Sequence, residues 1–478
     1  MKYEKKLIND ILNILKENEY TLSASVVGSI ENKSFDQISD IDIVIVLDYL
    51  SFEKIDLIKN VLLKIDLSKY KLNKKIRIND TFGPLKFDNK DELVFHLMIY
   101  DVDSHFEHVI NSPFTCFDWE RTNLFTNKPM KDIFSVRRLM LNDFLSSRRG
   151  IYDYINDIKN KQISYRKYVK DTNGDIKESK ESFNLDERHK TEYGFHIVKN
   201  TITNHIKVLE GLNKRYDGEE FLNKWKKLEP DLFLKYSDFF NDLYRNKLEK
   251  EYKTDLDENT LIDFLDDFYK IIEEKYKNSI KILLVRHLRT ELNDGRLFGQ
   301  YFDPDINENE TINLENFKHF DLNKMKIYSS PMKRALQTVE KFKFKQNVLI
   351  DDRLLELNYG DSDGLMFEDF LKRFPEYKEK VDSEYDFTFP NGESYSDLEK
   401  RMYKLLGEAT ENMILFTHQG PIRTILGSLF GIPPGLYFKI QIPHAIPLEI
   451  IKIGENFIPN INREIFGSIF KDFKYVQQ

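Results

Sequence analysis

Ile282–Asn293, ILLVRHLRTELN, runs four apolar residues into an Arg-His pair and then into a polar loop. The apolar run predicts a short strand that ends at the pair. A histidine in that place can accept a phosphoryl group, provided cationic groups from elsewhere in the chain neutralise the charge that develops.

Candidates for those groups follow in order. They lie in SSPMKRALQT (Ser329–Thr338), LLELNYGDSDG (Leu354–Gly364), FPNGESYSDLEKR (Phe389–Arg401) and ILFTHQGPIRT (Ile414–Thr424). Each residue taken singly has a bland structural explanation; a strand-end histidine is commonly a satisfied structural one. The motifs taken together, in this order, are a different matter. They resemble the histidine phosphatase superfamily, the phosphoglycerate-mutase-like fold, over residues 278–478.

Phosphoryl transfer needs an in-line nucleophile, positive charge on the equatorial oxygens and a proton for the leaving oxygen. His287 supplies the nucleophile. Arg286 and Arg334 carry permanent charge on a planar fork, and His418 can donate one further hydrogen bond. Glu356 is the candidate acid, because a carboxyl crowded against phosphate charge has a raised pKa and can hold a proton near neutrality. The resemblance implies the same roles, with Asn293 as a further phosphate contact and no metal or other cofactor in this head. One departure stands out: Leu288 follows the histidine where the family mostly has glycine, so it either narrows the pocket or repacks its floor. A mutase is the competing activity, but the motifs sit in a compact segment with little insertion, which favours a phosphatase.

A second motif lies near the start, VVGSIENKSFDQISDIDIVIVL (Val26–Leu47). Gly28-Ser29 ends one apolar strand and Ser39–Asp42 opens another. Strand side chains alternate, so Asp40 and Asp42 share a face and make an oxygen site suited to Mg²⁺. The Gly-Ser turn brings backbone and hydroxyl donors close to a triphosphate. This resembles the DNA polymerase β type nucleotidyltransferases, most of all their minimal branch. It implies transfer of a nucleotide from an NTP to an acceptor, with Mg²⁺ on Asp40 and Asp42 and pyrophosphate leaving. That family usually has a third carboxylate on a neighbouring strand. In LVFHLMIYD (Leu93–Asp101), His96 is either a variant ligand or a core histidine, and Asp101 is either the missing acid or a strand cap.

The 478 residues are too many for one core. The expected architecture is α/β and multidomain: a nucleotidyltransferase core with a mixed sheet over 1–135, a helical subdomain over 136–277 from which strands are absent, and an α/β/α histidine phosphatase domain over 278–478. Within the middle part, 171–190 is expected to form a loop or hairpin excursion. Tyr193, His196, Lys199 and Asn200 share one helical stripe, where Lys199 either contacts phosphate or lines the bundle.

Lys and Arg number 72 against 80 Asp and Glu, a net charge of -8, which disfavours nucleic acid as a partner. Cys116 is the single cysteine, so no intramolecular disulfide forms and a reducing compartment is expected, with the thiol free and buried. The first residues alternate charge with Ile8, Ile11, Leu12 and Leu15 at helical spacing, unlike a signal peptide. No apolar run is long enough to span a membrane, so the cytoplasm is the expected location.

The expected partners are an NTP and a small phosphorylated metabolite; the oligomeric state is left open. The favoured function is a two-headed metabolic enzyme acting on a sugar or polyol phosphate. Competing readings are nucleotidylation of a protein, RNA or drug with an editing phosphatase, and a nucleotide-binding scaffold fused to an active phosphatase.

Overall fold

The computed structural model describes residues 3–28, 40–87, 89–111, 124–133, 138–211, 216–249, 256–292, 295–381 and 383–473. Ser29, Cys116 and Asn293 lie outside the described residues.

The N-terminal helix Tyr3–Lys16 buries Leu7, Ile8, Ile11, Leu12 and Leu15, the stripe its spacing predicts. It covers a mixed five-stranded sheet of β1 (Thr21–Val27), β2 (Asp40–Leu47), β3 (Lys75–Asn79), β4 (Glu92–Asp101) and β5 (Phe125–Asn127), in the order β3-β4-β2-β1-β5. β2, β3 and β4 run parallel, while β1 is antiparallel to both of its neighbours. This register sets Asp42 between Val27 of β1 and His96 of β4.

The middle of the chain holds the helices Leu141–Lys159, Glu187–Glu210, Gly218–Leu228, Pro230–Glu249 and Glu258–Lys277. Their shared core is aromatic, with Trp225 edge-on to Phe240 and Phe264. The expectation that strands are absent from 136–277 is corrected here. β6 (Gln162–Lys170) and β7 (Ile176–Asn184) form an antiparallel hairpin, of which the segment expected to form an excursion supplies only the turn and second strand. Cross-strand polar pairs, Tyr165 with Glu181 and Arg166 with Glu178, stabilise it, while Ile163 and Phe183 form its apolar pair against the helical core. Phe82 and Arg166 bridge the hairpin back to the N-terminal sheet.

The C-terminal sheet has six strands, β8 (Ile280–Arg286), β9 (Lys326–Ser329), β10 (Val348–Ile350), β11 (Met413–Thr417), β12 (Pro447–Ile453) and β13 (Asn456–Asn460), ordered β10-β9-β11-β8-β12-β13. The first four in that order are parallel. Ile282, Leu283, Leu284 and Val285 are fully buried, as suits an unbroken apolar run on a central strand, here between parallel β11 and antiparallel β12. The carboxyl ends of β8, β9 and β11 lie side by side, the place where open α/β sheets bind ligands.

The two halves touch at the β13 edge. Ile451 and Ile458 join the helical core, and Arg138 donates to the carbonyls of Val208 and Phe457. Arg138 thereby ties the C-terminal end of Glu187–Glu210, where a cation is favoured, to the second sheet.

Candidate active sites

His287 leaves the end of β8 with its Nδ1 2.6 Å from the Leu288 carbonyl. A carbonyl only accepts, so Nδ1 carries the hydrogen and Nε2 of the neutral ring is bare. Burial, followed by the charges of Arg286 and Arg334, holds the His287 pKa well below its ordinary value of 6.5. A neutral imidazole with a bare nitrogen has a lone pair that can attack without an external base.

Arg286, His287, Arg334 and Glu356 line one cavity of about 440 Å³. Arg286 donates to the Ile442 carbonyl at 2.7 Å, while its Nε is buried without a hydrogen-bond partner. Burial pushes its pKa down to about 9, yet it remains cationic at neutrality. An unpaired donor of this kind suits a phosphate oxygen.

Arg334 differs from Arg286. Its Nε donates to His418 Nδ1, and its two terminal nitrogens bond to Asp303 and to the carbonyls of Phe298, Gly299 and Phe302. All five donors are thus engaged. Its charge faces the cavity while its fork holds the 298–303 loop. His418 accepts from Arg334 on Nδ1 and so carries its hydrogen on Nε2, which donates to Ser330 Oγ at 2.8 Å. Its ring centroid lies 5.3 Å from that of His287.

Glu356 Oε1 accepts from the backbone of Leu357 and Gly420, both at 2.8 Å. A Cβ at position 420 would lie 2.1 Å from that oxygen, so glycine is required there for the close approach. With Oε1 held by two N–H groups, Oε2 is the oxygen suited to carry a proton. Burial raises the Glu356 pKa against the opposing pull of Leu357, Arg334, Arg423 and Arg286, before any phosphate charge is added.

Leu288 does not narrow the cavity. It is buried against Ile306 and Ala445, and its N–H donates to Thr338 Oγ1 at 2.9 Å. Sequence reasoning missed His444, whose Nδ1 donates to the His287 carbonyl at 2.8 Å, and Arg423, which lines the cavity from the helix Gln419–Leu429. Arg423 stands within a quoted motif and was open to notice; His444 sits in an unremarkable loop.

At the other end of the chain, Asp40 and Asp42 share a face of β2 as the alternation predicts. Gly28 has a φ of +84°, and a Cβ on it would meet Asp42 Oδ2 at 2.8 Å. Only glycine lets the turn approach that carboxylate. Both acids are paired with cations of this chain. Lys86 Nζ bonds Asp40 Oδ2, and His96 Nδ1 lies 2.8 Å from Asp42 Oδ1. His96 Nε2 lies 2.9 Å from the Thr81 carbonyl, so both ring nitrogens face acceptors. Burial opposes charge on this ring, but Asp42 and Thr81 overrule it and raise its pKa, and with an acceptor at each nitrogen the doubly protonated form is the one this geometry suits.

The position opposite Asp42 therefore carries a cation in place of a third acid. Asp101 is a helix cap, accepting from Ser104 N and Oγ. It pairs with Leu47 at the far end of β2, roughly 23 Å from Asp40 at 3.3 Å per residue. Among the described residues no group of three or more His, Cys, Asp or Glu is arranged to hold a metal. Two carboxylates still fit Mg²⁺, which commonly takes one or two from protein and completes its shell with water and substrate phosphates. Lys199, in the helical stripe, is paired with Asp217, and Tyr193 is buried in the bundle. No helix among the described residues is long and apolar enough to cross a membrane.

Comparison with known proteins matches residues 282–457 to the histidine phosphatase superfamily (branch 1) and residues 8–98 to the nucleotidyltransferase domain. Phosphoserine phosphatase 1 of Hydrogenobacter thermophilus is 26% identical over 180 residues, 35% of this chain and 83% of that protein. A 6-phosphofructo-2-kinase/fructose-2,6-bisphosphatase of Caenorhabditis elegans is 28% identical over 167 residues, 34% of this chain and 36% of that protein. The crystal structure of phosphoserine phosphatase from Entamoeba histolytica aligns at 23% identity with a TM-score of 0.32, covering 39% of this chain and 99% of that one.

Proposed function

We propose that this chain, in which a nucleotidyltransferase domain is joined to a histidine phosphatase domain, is a two-headed enzyme of small-molecule metabolism. One head moves a nucleotide from an NTP to a phosphorylated metabolite such as a sugar or polyol phosphate, and the other hydrolyses a phosphomonoester.

The bare Nε2 of His287, facing a cavity shared with Arg286 and Glu356, carries the phosphatase half. Nε2 attacks phosphorus as the bond from phosphorus to the alcohol oxygen breaks, and Glu356 passes its proton to that oxygen. Arg286 offers its unpaired donor to the transferred group, and Arg334 adds fixed positive charge while holding the loop above. Water then attacks the phosphohistidine, Glu356 takes up the water proton, and inorganic phosphate leaves with His287 restored. His418 reaches the phosphate only by releasing Ser330.

In the N-terminal head Asp40 and Asp42 would hold Mg²⁺, which when bound with a nucleotide stabilises the attacking and leaving oxygens of nucleotidyl transfer. Gly28 keeps the turn close to Asp42, the side from which a triphosphate would approach. Lys86 must leave Asp40 for this site to fill, and its ammonium is then free to meet a phosphate. His96 fixes the orientation of Asp42. Among the described residues the basic groups bonded to the pair, Lys86 and His96, are both committed to it, which favours an acceptor that is already an anion, such as a phosphate.

The test is to incubate the protein and Mg²⁺ with each of four triphosphates and a panel of sugar and polyol phosphates, assaying pyrophosphate and inorganic phosphate separately. Release of both, each with its own substrate preference, is expected. Pyrophosphate release from no combination would reduce the N-terminal head to a nucleotide-binding body.

A further inference from the structure

The cavity over His287 changes character away from its phosphate end. Its wall there is built from Phe298, Tyr359, Phe367, Phe387, Phe389 and Phe438. These rings come from separate parts of the sequence and converge on one space. Tyr359 and Phe389 form the inner layer, edge-on at 4.8 Å, with Phe387 tilted against Phe389 at 4.9 Å. Phe298, stacked on Phe302, and Phe438 are only half-buried, and Phe367 is 37% exposed, so the outer rings keep accessible surface.

A volume of about 440 Å³ lies within the range that encloses a drug-sized ligand, far beyond what a phosphate group alone occupies. A short alcohol such as glycerol or serine would leave most of this wall wet. A polyol that filled it would press hydroxyls against five phenylalanine rings that cannot bond them, with Arg296, Tyr359, Tyr395 and Gln419 among the polar groups in the same lining, and unbonded hydroxyls are penalised. Flat rings, by contrast, pair edge-to-face or offset with phenylalanine.

We infer that the C-terminal head prefers phosphomonoesters whose alcohol carries a planar ring, either an aryl group or a nucleobase. This rests on the phosphatase reading above, and it narrows the phosphatase substrate away from simple sugar phosphates. The transfer steps are unchanged; only the alcohol that leaves is specified.

The experiment measures kcat/KM for phosphate release by the full chain. The substrates are 2-naphthylmethyl phosphate, adenosine 5′-monophosphate, n-octyl phosphate, glycerol 3-phosphate and phosphoserine, all esters of ordinary alkanols. At least one of the two ring-bearing esters is expected to exceed the other three by about tenfold or more, the scale set by burying one ring. A naphthyl preference identifies an aryl alcohol, and an adenosine preference a nucleobase-bearing one. Phe367→Ala, at an exposed position, should reduce that ratio severalfold, and Phe367→Tyr should restore it.

Equal or higher kcat/KM for glycerol 3-phosphate or phosphoserine would overturn the inference alone. So would octyl phosphate matching the better ring-bearing ester, since shape and not only apolarity is claimed. Phosphate release from another ester but from none of these five would overturn the inference alone, and release from no ester at all would overturn the phosphatase reading and this inference with it.

Discussion

The two heads handle charge in opposite ways. Around His287 the chain withholds partners: Nε2 is bare, Arg286 Nε has no acceptor, and Glu356 commits one oxygen and keeps the other. Around Asp40 and Asp42 it supplies them, with Lys86 on one acid and His96 on the other. A site that binds a dianion must leave cations and a nucleophile unspent. A site that receives cations with its substrate can rest neutralised, because unpaired carboxylates brought together would repel and destabilise the fold. The first is ready on substrate arrival, whereas the second must exchange internal cations for external ones.

The largest expected effect breaks the two heads apart. His287→Ala should abolish phosphate release, on the order of 10⁶-fold as for loss of a catalytic nucleophile, and should remove any acid-labile phosphohistidine trapped by rapid quench. Pyrophosphate release should survive. Asp40→Asn combined with Asp42→Asn should give the reverse pattern, and loss of both products in either variant would show that the heads do not act independently.

Glu356→Gln should follow, at about 10²- to 10⁴-fold on alkyl phosphates, with near-normal rates on p-nitrophenyl phosphate, whose leaving group needs no proton. The same pair of residues sets the pH profile. Protonating His287 destroys the nucleophile, and its depressed pKa moves that loss below the ordinary 6.5. Ionising Glu356 destroys the acid, and its raised pKa moves that loss above the ordinary 4.5. Phosphate release should therefore persist into acid and decline as pH rises through the Glu356 pKa, with the decline absent in Glu356→Gln. A profile that rises with pH across neutrality would contradict the assignment.

The smallest effect concerns the resting cations. Lys86→Met should lower the Mg²⁺ concentration for half-maximal pyrophosphate release by about fivefold, the scale of a partly exposed ion pair. An increase would mean that Lys86 serves the nucleotide more than it competes with metal.

Much of this was open to reading from the chain. Strand β8 declared itself because an apolar run with no alternation between polar segments has few other uses, and the Arg-His pair marks its end. The spacing of Asp40 and Asp42 fixed a common face, since the two-residue period of a strand is local geometry. Strand β6 escaped, although a loop or hairpin excursion is expected over 171–190, because apart from Ile163–Phe183 most pairs of hairpin β6–β7 include a polar or charged residue, which leaves a weak hydrophobic signature.

What the letters determined, then, were the groups that local covalent geometry aligns: the histidine at a strand end, the acidic pair on one face, the glycine beside them. What only the tertiary structure decided was the protonation and commitment of those groups. Whether Arg334 spends its fork on a loop, whether both nitrogens of His96 meet acceptors and which way Leu288 packs all depend on partners far away in sequence. Hydrogen bonds and desolvation act across space, and one chain of residue names does not record which distant carbonyl will lie within three ångströms of a given ring.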